Sequence, residues 1–124
     1  MAEMGNIKIS NEVVAIISGI AAMEVKGVHS MSGSFADGIT TILGRRNLGK
    51  GVKVEVGEVE CSIDANIRVE YGIRIPDVAL TVQQKIIKAV TDMTGLKVVE
   101  VNVYVQDIFV PKDENDTEEE KKLK

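Results

Sequence analysis

Between residues 61 and 71 the chain alternates without a fault. Cys61, Ile63, Ala65, Ile67, Val69 and Tyr71 fall on one side, and Ser62, Asp64, Asn66, Arg68 and Glu70 on the other. A period of two is the pattern of a strand with one buried and one wet face. Such a strand is not stable alone, because its apolar side needs a cover. Residues 52–56 carry Val52, Val54 and Val56 on one face. Gly57-Glu58 fits a two-residue hairpin turn with glycine first. That register sets Val56 opposite Val59, Val54 opposite Cys61, Val52 opposite Ile63 and Glu55 opposite Glu60. An alternating run this long exceeds the roughly 5–6 residues of a usual strand, which predicts added twist or a bulge. Val99, Val101, Val103 and Val105 alternate with Glu100, Asn102, Tyr104 and Gln106 in a last strand, and residues 7–9 and 28–31 read as short extended pieces.

The spacing changes to a helical one in three places. After Ser10, an N-cap residue, and Glu12 in the first turn, Val13, Val14, Ile17, Ile20, Ala21 and Val25 recur at helical intervals up to Gly27. Gly19, in mid-helix, implies either close approach of another backbone or a tolerated weakness. Residues 33–43 carry Phe35, Ile39, Ile42 and Leu43 at i, i+4, i+7 and i+8, which predicts a short amphipathic helix. Pro76 and Asp77 open a long helix with Ala79, Val82, Ile86, Ala89, Val90 and Met93 inside, and Gly95 closes it. One helix between two strands returns the chain parallel to its earlier direction. The expected fold is therefore α+β, a two-layer sandwich of a mixed sheet with two long helices and one short helix on one face. Residues 1–110 form one domain, and 111–124, almost wholly charged and polar, form a tail with nothing to bury.

Composition narrows the chemistry. The 124 residues suit a single domain, 44% hydrophobic but only 3% aromatic, so the core is aliphatic. A net charge of −4 argues against broad nucleic-acid affinity. Cys61, the single cysteine, excludes an internal disulfide and a thiolate zinc cage, and its inward position makes it an apolar filler. His29 is the only histidine and has no ligand partners at metal spacing, so it reads as a surface imidazole. The apolar run 13–23 is too short for a membrane span, and no basic, apolar leader opens the chain. The expected location is cytoplasmic.

The segment Gly44-Arg45-Arg46-Asn47-Leu48-Gly49-Lys50-Gly51 fits a P-loop in all but its final hydroxyl residue. A strand pattern follows it where the phosphate-cradling helix should start, so nucleotide hydrolysis is not its chemistry. Arg45, Arg46, Lys50 and Lys53 remain as a basic cluster suited to an acidic partner, a phosphate-bearing ligand or a lipid headgroup. The wet sheet face adds Arg68 and Tyr104 as candidate interaction residues. No pair of carboxylates or nucleophile–base couple is implied by spacing, which points to a binding or scaffold protein and to no cofactor.

Several stretches together resemble one family: Ile9-Ser10-Asn11-Glu12-Val13-Val14, Gly19-Ile20-Ala21-Ala22, Val25-Lys26-Gly27-Val28, Gly49-Lys50-Gly51-Val52-Lys53-Val54, Val69-Glu70-Tyr71-Gly72, Ile75-Pro76-Asp77-Val78-Ala79, Met93-Thr94-Gly95 and Val101-Asn102-Val103-Tyr104-Val105-Gln106. The chain is similar over residues 6–110 to the alkaline-shock proteins, envelope-stress proteins of Gram-positive bacteria. Met23 stands where relatives often have a polar residue, and the tail is outside the pattern. The resemblance implies a non-enzymatic adaptor or scaffold without catalytic residues or cofactor. It also implies a protein partner, which in some members is membrane-anchored and holds them peripherally at the membrane, or self-association. The alternative reading is an RNA- or anion-binding module using the basic cluster.

Overall fold

A computed structural model describes residues 4–32 and 49–111. Its elements run α1 (Asn11–Met23), β1 (Val28–Met31), β2 (Val52–Val56), β3 (Glu60–Glu70), α2 (Ile75–Thr94) and β4 (Lys97–Phe109). Ser10 caps α1 by accepting the Val13 N–H at 3.2 Å. Pro76 stands in the first turn of α2, and Gly95 ends it in the left-handed region at φ +77°, where only glycine avoids a steric cost. Residues 7–9, expected as a strand, are not one: Ile7 is 92% exposed, and only Ile9 rests partly on the core.

The long alternating strand is the middle of the sheet. One edge of β3 pairs in parallel with β4 over its whole length. The other edge is shared: β1 pairs antiparallel with residues 67–69 and β2 antiparallel with residues 61–65. β1 and β2 thus run end to end as one edge line, interrupted by residues 32–51. The interruption closes on Asn66, whose C=O accepts the Ser32 N–H and whose N–H donates to the Gly51 C=O, both at 2.8 Å. Two residues far apart in sequence make the bonds that a single residue makes in an uninterrupted strand.

The hairpin register differs from expectation. Val56 faces Cys61, Val54 faces Ile63 and Val52 faces Ala65, so residues 57–59 form the connection and Val59 is left 71% exposed. The slip is two residues, which preserves every side chain's face. It also sets Glu55 against Ser62 rather than Glu60, removing a like-charge pair. The expected irregularity lies in the partner strand, where Val99 and Gln106 are extra residues between paired positions of β4.

The expectation of a third, short helix is corrected. The described residues hold two helices, and residues 33–43 lie outside them. Val14, Ile63, Ile67, Val69, Val82, Ile86 and Val90 have 0% exposure, and among the described residues α1 and α2 are the helices packed over β3. α1 turns Val14, Ile17, Ala21 and Val25 inward as expected, but not the whole of its expected face. Val13 and Ile20 are 45% and 41% exposed, while Ala15, Ser18, Gly19 and Ala22 are buried. Contacts with α2 on one side and the sheet on another draw the small residues inward, because they allow the closest approach. Met93, expected inside, sits in the last turn of α2 and is 71% exposed.

Ser18 is 0% exposed and its hydroxyl has no hydrogen-bond partner. A buried unsatisfied hydroxyl is destabilising, and alanine is the better helix former. Ser18→Ala should therefore raise the unfolding free energy by about 0.5–1.5 kcal/mol. Urea denaturation would show this as a higher midpoint at unchanged slope. A lower midpoint would mean that the hydroxyl is satisfied after all.

Candidate functional site on the uncovered sheet face

Alternation along β3 sends Cys61, Ile63, Ala65, Ile67 and Val69 under the helices and Ser62, Asp64, Asn66 and Arg68 to the opposite face, where each is half-buried. Among the described residues no element covers that second face. Parallel pairing brings Glu100, Asn102, Tyr104 and Asp107 of β4 alongside the same positions.

The face is cross-braced. Asn102 Nδ2 donates to Asp64 Oδ1 at 2.9 Å and to Glu100 Oε2 at 3.0 Å. Gln106 Nε2 donates to Asn66 Oδ1 at 2.8 Å, and Asn66 Nδ2 donates to the Gly51 carbonyl at 3.0 Å. Arg68 Nε stands 3.3 Å from Asp107 Oδ2. With Arg68 and Asp107 side chains 32% and 58% exposed, the pair adds at most about 1 kcal/mol. The Arg68 Nε is buried and makes no hydrogen bond, so the pair is a charge contact and not a directed clamp. At the end of β3 the His29 ring lies on that of Phe109, with centroids 3.9 Å apart and planes 4° from parallel. The histidine expected as a free surface imidazole is instead half-buried and stacked.

The candidate interaction residues divide three ways. Arg68, Tyr104 and Lys53 share the uncovered face: Tyr104, 47% exposed, pairs with Asn66, and Lys53 pairs with Asp64. Lys50 lies elsewhere, bordering a depression of about 440 Å³ with Glu12, Ala15, Ile16 and Gly49. Arg45 and Arg46 lie outside the described residues. Sequence reasoning missed Asn66 and the His29–Phe109 stack. Their partners are distant in sequence, and no local pattern marks such contacts. Cys61 faces the core at 2% exposure, and burial pushes its thiol pKa up, away from the reactive thiolate. Among the described residues no three His, Cys, Asp or Glu side chains converge as metal ligands, and no helix is long and apolar enough to cross a membrane.

Residues 1–110 match the family of alkaline-shock protein 23, described as having a cell envelope-related function. The chain belongs to this family. Relatives of this alkaline-shock-family protein include YqhY of Bacillus subtilis, 41% identical over 82% of this chain and 76% of the relative. YloU of the same organism is 41% identical over 86% and 90% of the respective chains. A Streptococcus pyogenes homologue of the stress response regulator gls24 is 30% identical over 84% of this chain and 59% of the relative. No solved structure matches. The resemblance to the alkaline-shock proteins is thus established: this is the alkaline-shock and Gls24 family, a Gram-positive cell-envelope stress-response family. Its members are non-catalytic, and membership gives the chain a non-enzymatic stress and homeostasis role.

Proposed function

We propose that this alkaline-shock-family protein is an adaptor or scaffold of envelope homeostasis. Residues 1–110 act as the docking domain and 111–124 as a charged tail. The protein is cytoplasmic and held peripherally at the membrane by a membrane-anchored protein that meets the uncovered sheet face. The observation that carries this reading is the cross-braced polar face opposite the helices. Asn66, Asn102, Gln106 and Arg68 are tied to neighbours before any partner arrives, so binding costs little side-chain ordering. Arg68 and Tyr104 are residue types favoured at the centres of interfaces.

The reading that uses Arg45, Arg46, Lys50 and Lys53 for RNA or another anion draws less support. On the uncovered face Glu55, Glu60, Asp64, Glu70, Glu100 and Asp107 outnumber Lys53, Arg68 and Lys97. Short RNA titrated against salt would revive that reading if charge reversal at the cluster abolished binding.

The adaptor reading is tested by membrane co-sedimentation of the full chain from broken cells at moderate salt. Arg68→Ala combined with Tyr104→Ala should shift most of the protein into the soluble fraction. The two side chains are only partly buried, Arg68 at 32% and Tyr104 at 47% exposure, so urea denaturation of the variant, with a loss of about 1–2 kcal/mol or less, checks that it is folded. Equal membrane recovery of the variant and the parent would remove this face from the function.

A further inference from the structure

The charges of this molecule are sorted by surface. On the uncovered sheet face acidic side chains outnumber basic ones two to one. Over the rest of the described residues the balance tips the other way: Glu12, Glu24, Glu58, Asp77 and Asp92 stand against Lys8, Lys26, Lys50, Arg74, Lys85 and Lys88. The acidic excess of the described residues is therefore concentrated on the sheet surface that they leave uncovered.

Within that face the charges are sorted again along the strands. Two rows set opposite charges side by side on neighbouring strands, Glu60 with Lys97 and Lys53 with Asp64. Arg68 has Asp107. The row between the first two is different, because there Ser62 lies between Glu55 on β2 and Glu100 on β4. Strands stand roughly 4.8 Å apart, so two acidic residues flank one small side chain. Glu55 is exposed and makes no hydrogen bond or ion pair among the described residues, and Glu100 accepts from the Asn102 amide. A cation above Ser62 would be attracted by both carboxylates at once. Four residues further along β3, roughly 13 Å away, the face changes character. Tyr104 is exposed there beside Asn66, and beyond it His29 and Phe109 stack. One end of the face is acidic and the other aromatic.

We propose, resting on the adaptor reading, that the part of the anchored partner seated on this face is a segment rich in lysine and arginine. One of its cations lies over Ser62 between Glu55 and Glu100, and a neighbouring side chain lies on Tyr104. Cytoplasmic segments that adjoin a membrane span carry an excess of Lys and Arg, so the portion of an anchored protein nearest the membrane has the charge that this face lacks. Turned directly to anionic lipid headgroups the face would be repelled, whereas a basic segment between the two is attracted from both sides. Complementary charge also speeds encounter and fixes register.

The test uses a fluorescein-labelled nine-residue peptide of alternating arginine and threonine, with anisotropy read against the full chain. Its counterpart of alternating glutamate and threonine is the control. The basic peptide should bind and the acidic one should not. Binding should weaken between 0.01 M and 0.1 M salt, as the screening length falls from about 30 Å to about 10 Å. Glu55→Gln with Glu100→Gln should weaken it about tenfold, with unchanged circular dichroism, since glutamine keeps an oxygen to accept from Asn102. Glu12→Gln with Glu24→Gln makes the same change in net charge on α1 and should alter binding less than about twofold. Equal weakening by the two pairs would reduce the effect to net charge and overturn the inference. So would a basic peptide that does not bind, or one that ignores the Glu55 and Glu100 changes. In membrane co-sedimentation, Glu55→Gln with Glu100→Gln should release the protein as Arg68→Ala with Tyr104→Ala does. Release by the Arg68 and Tyr104 changes alone would sink the basic segment and leave the adaptor reading standing. A peptide bound through Glu55 and Glu100, with membrane recovery indifferent to both pairs, would uphold the basic-segment site and remove the membrane-anchored partner.

Discussion

Ile67→Ala should lower the unfolding free energy by about 2–5 kcal/mol, the cost of a large-to-small change in a closed core. Ile67 is 0% exposed at the middle of β3, with β1 on one side and β4 on the other. Its side chain belongs to the one cluster that joins both helices to the sheet. The site has little freedom to collapse, because the β3 backbone is held on both edges, and that places the expected loss toward the upper part of the range. Domains of this size are stable by only about 5–15 kcal/mol, so the loss is a large share of the total. Ile7→Ala is the matched control: the same deletion at a side chain 92% exposed should change stability by about 0.5 kcal/mol or less. Comparable losses for the two variants in urea denaturation would contradict the core assignment.

These two isoleucines also mark where pattern succeeds and fails as a guide to structure. β3 and α2 are legible because one face of each is buried and the other wet, so a period of 2 or 3.6 is written along them. Ile7 and Ile9 flank Lys8 in the same alternation, yet a strand needs a paired neighbour, and three residues do not reveal whether one exists. α1 misled for a different reason. Its buried side adds Ala15, Ser18, Gly19 and Ala22 to the expected Val14, Ile17 and Ala21; the added residues are small and carry little hydrophobic signal, while Val13 and Ile20 carry it and are half outside. The hairpin register slipped by two because alternation specifies the face of a residue and not its opposite number. Arg68 and Tyr104 could be assigned to the wet face from parity alone. Their setting among Asn66, Asn102, Gln106 and Asp107 could not, since each of those contacts crosses between strands.

Gly51→Ala should cost about 2–4 kcal/mol, combining the left-handed backbone penalty of roughly 1–2 kcal/mol with the loss of edge hydrogen bonds worth roughly 1 kcal/mol each. Gly51 has φ +82°, and a Cβ there would lie 2.6 Å from the Ser32 carbonyl oxygen and 3.0 Å from that of Asn66. Both obstacles are backbone, so no side-chain rotation relieves them. The chain must part at the point where β1 and β2 are joined through Asn66, stretching the Ser32–Asn66 and Asn66–Gly51 hydrogen bonds. Gly95→Ala separates the two contributions. Gly95 has nearly the same φ, +77°, but open space where its Cβ would be, so it should lose only the conformational share. The difference between the two variants measures how tightly the two ends of the interrupting segment are closed on β3. Amide exchange at Ser32 and Asn66 should rise in Gly51→Ala and stay as in the parent in Gly95→Ala. Equal destabilisation by the two substitutions would mean that the edge is not spliced at Asn66.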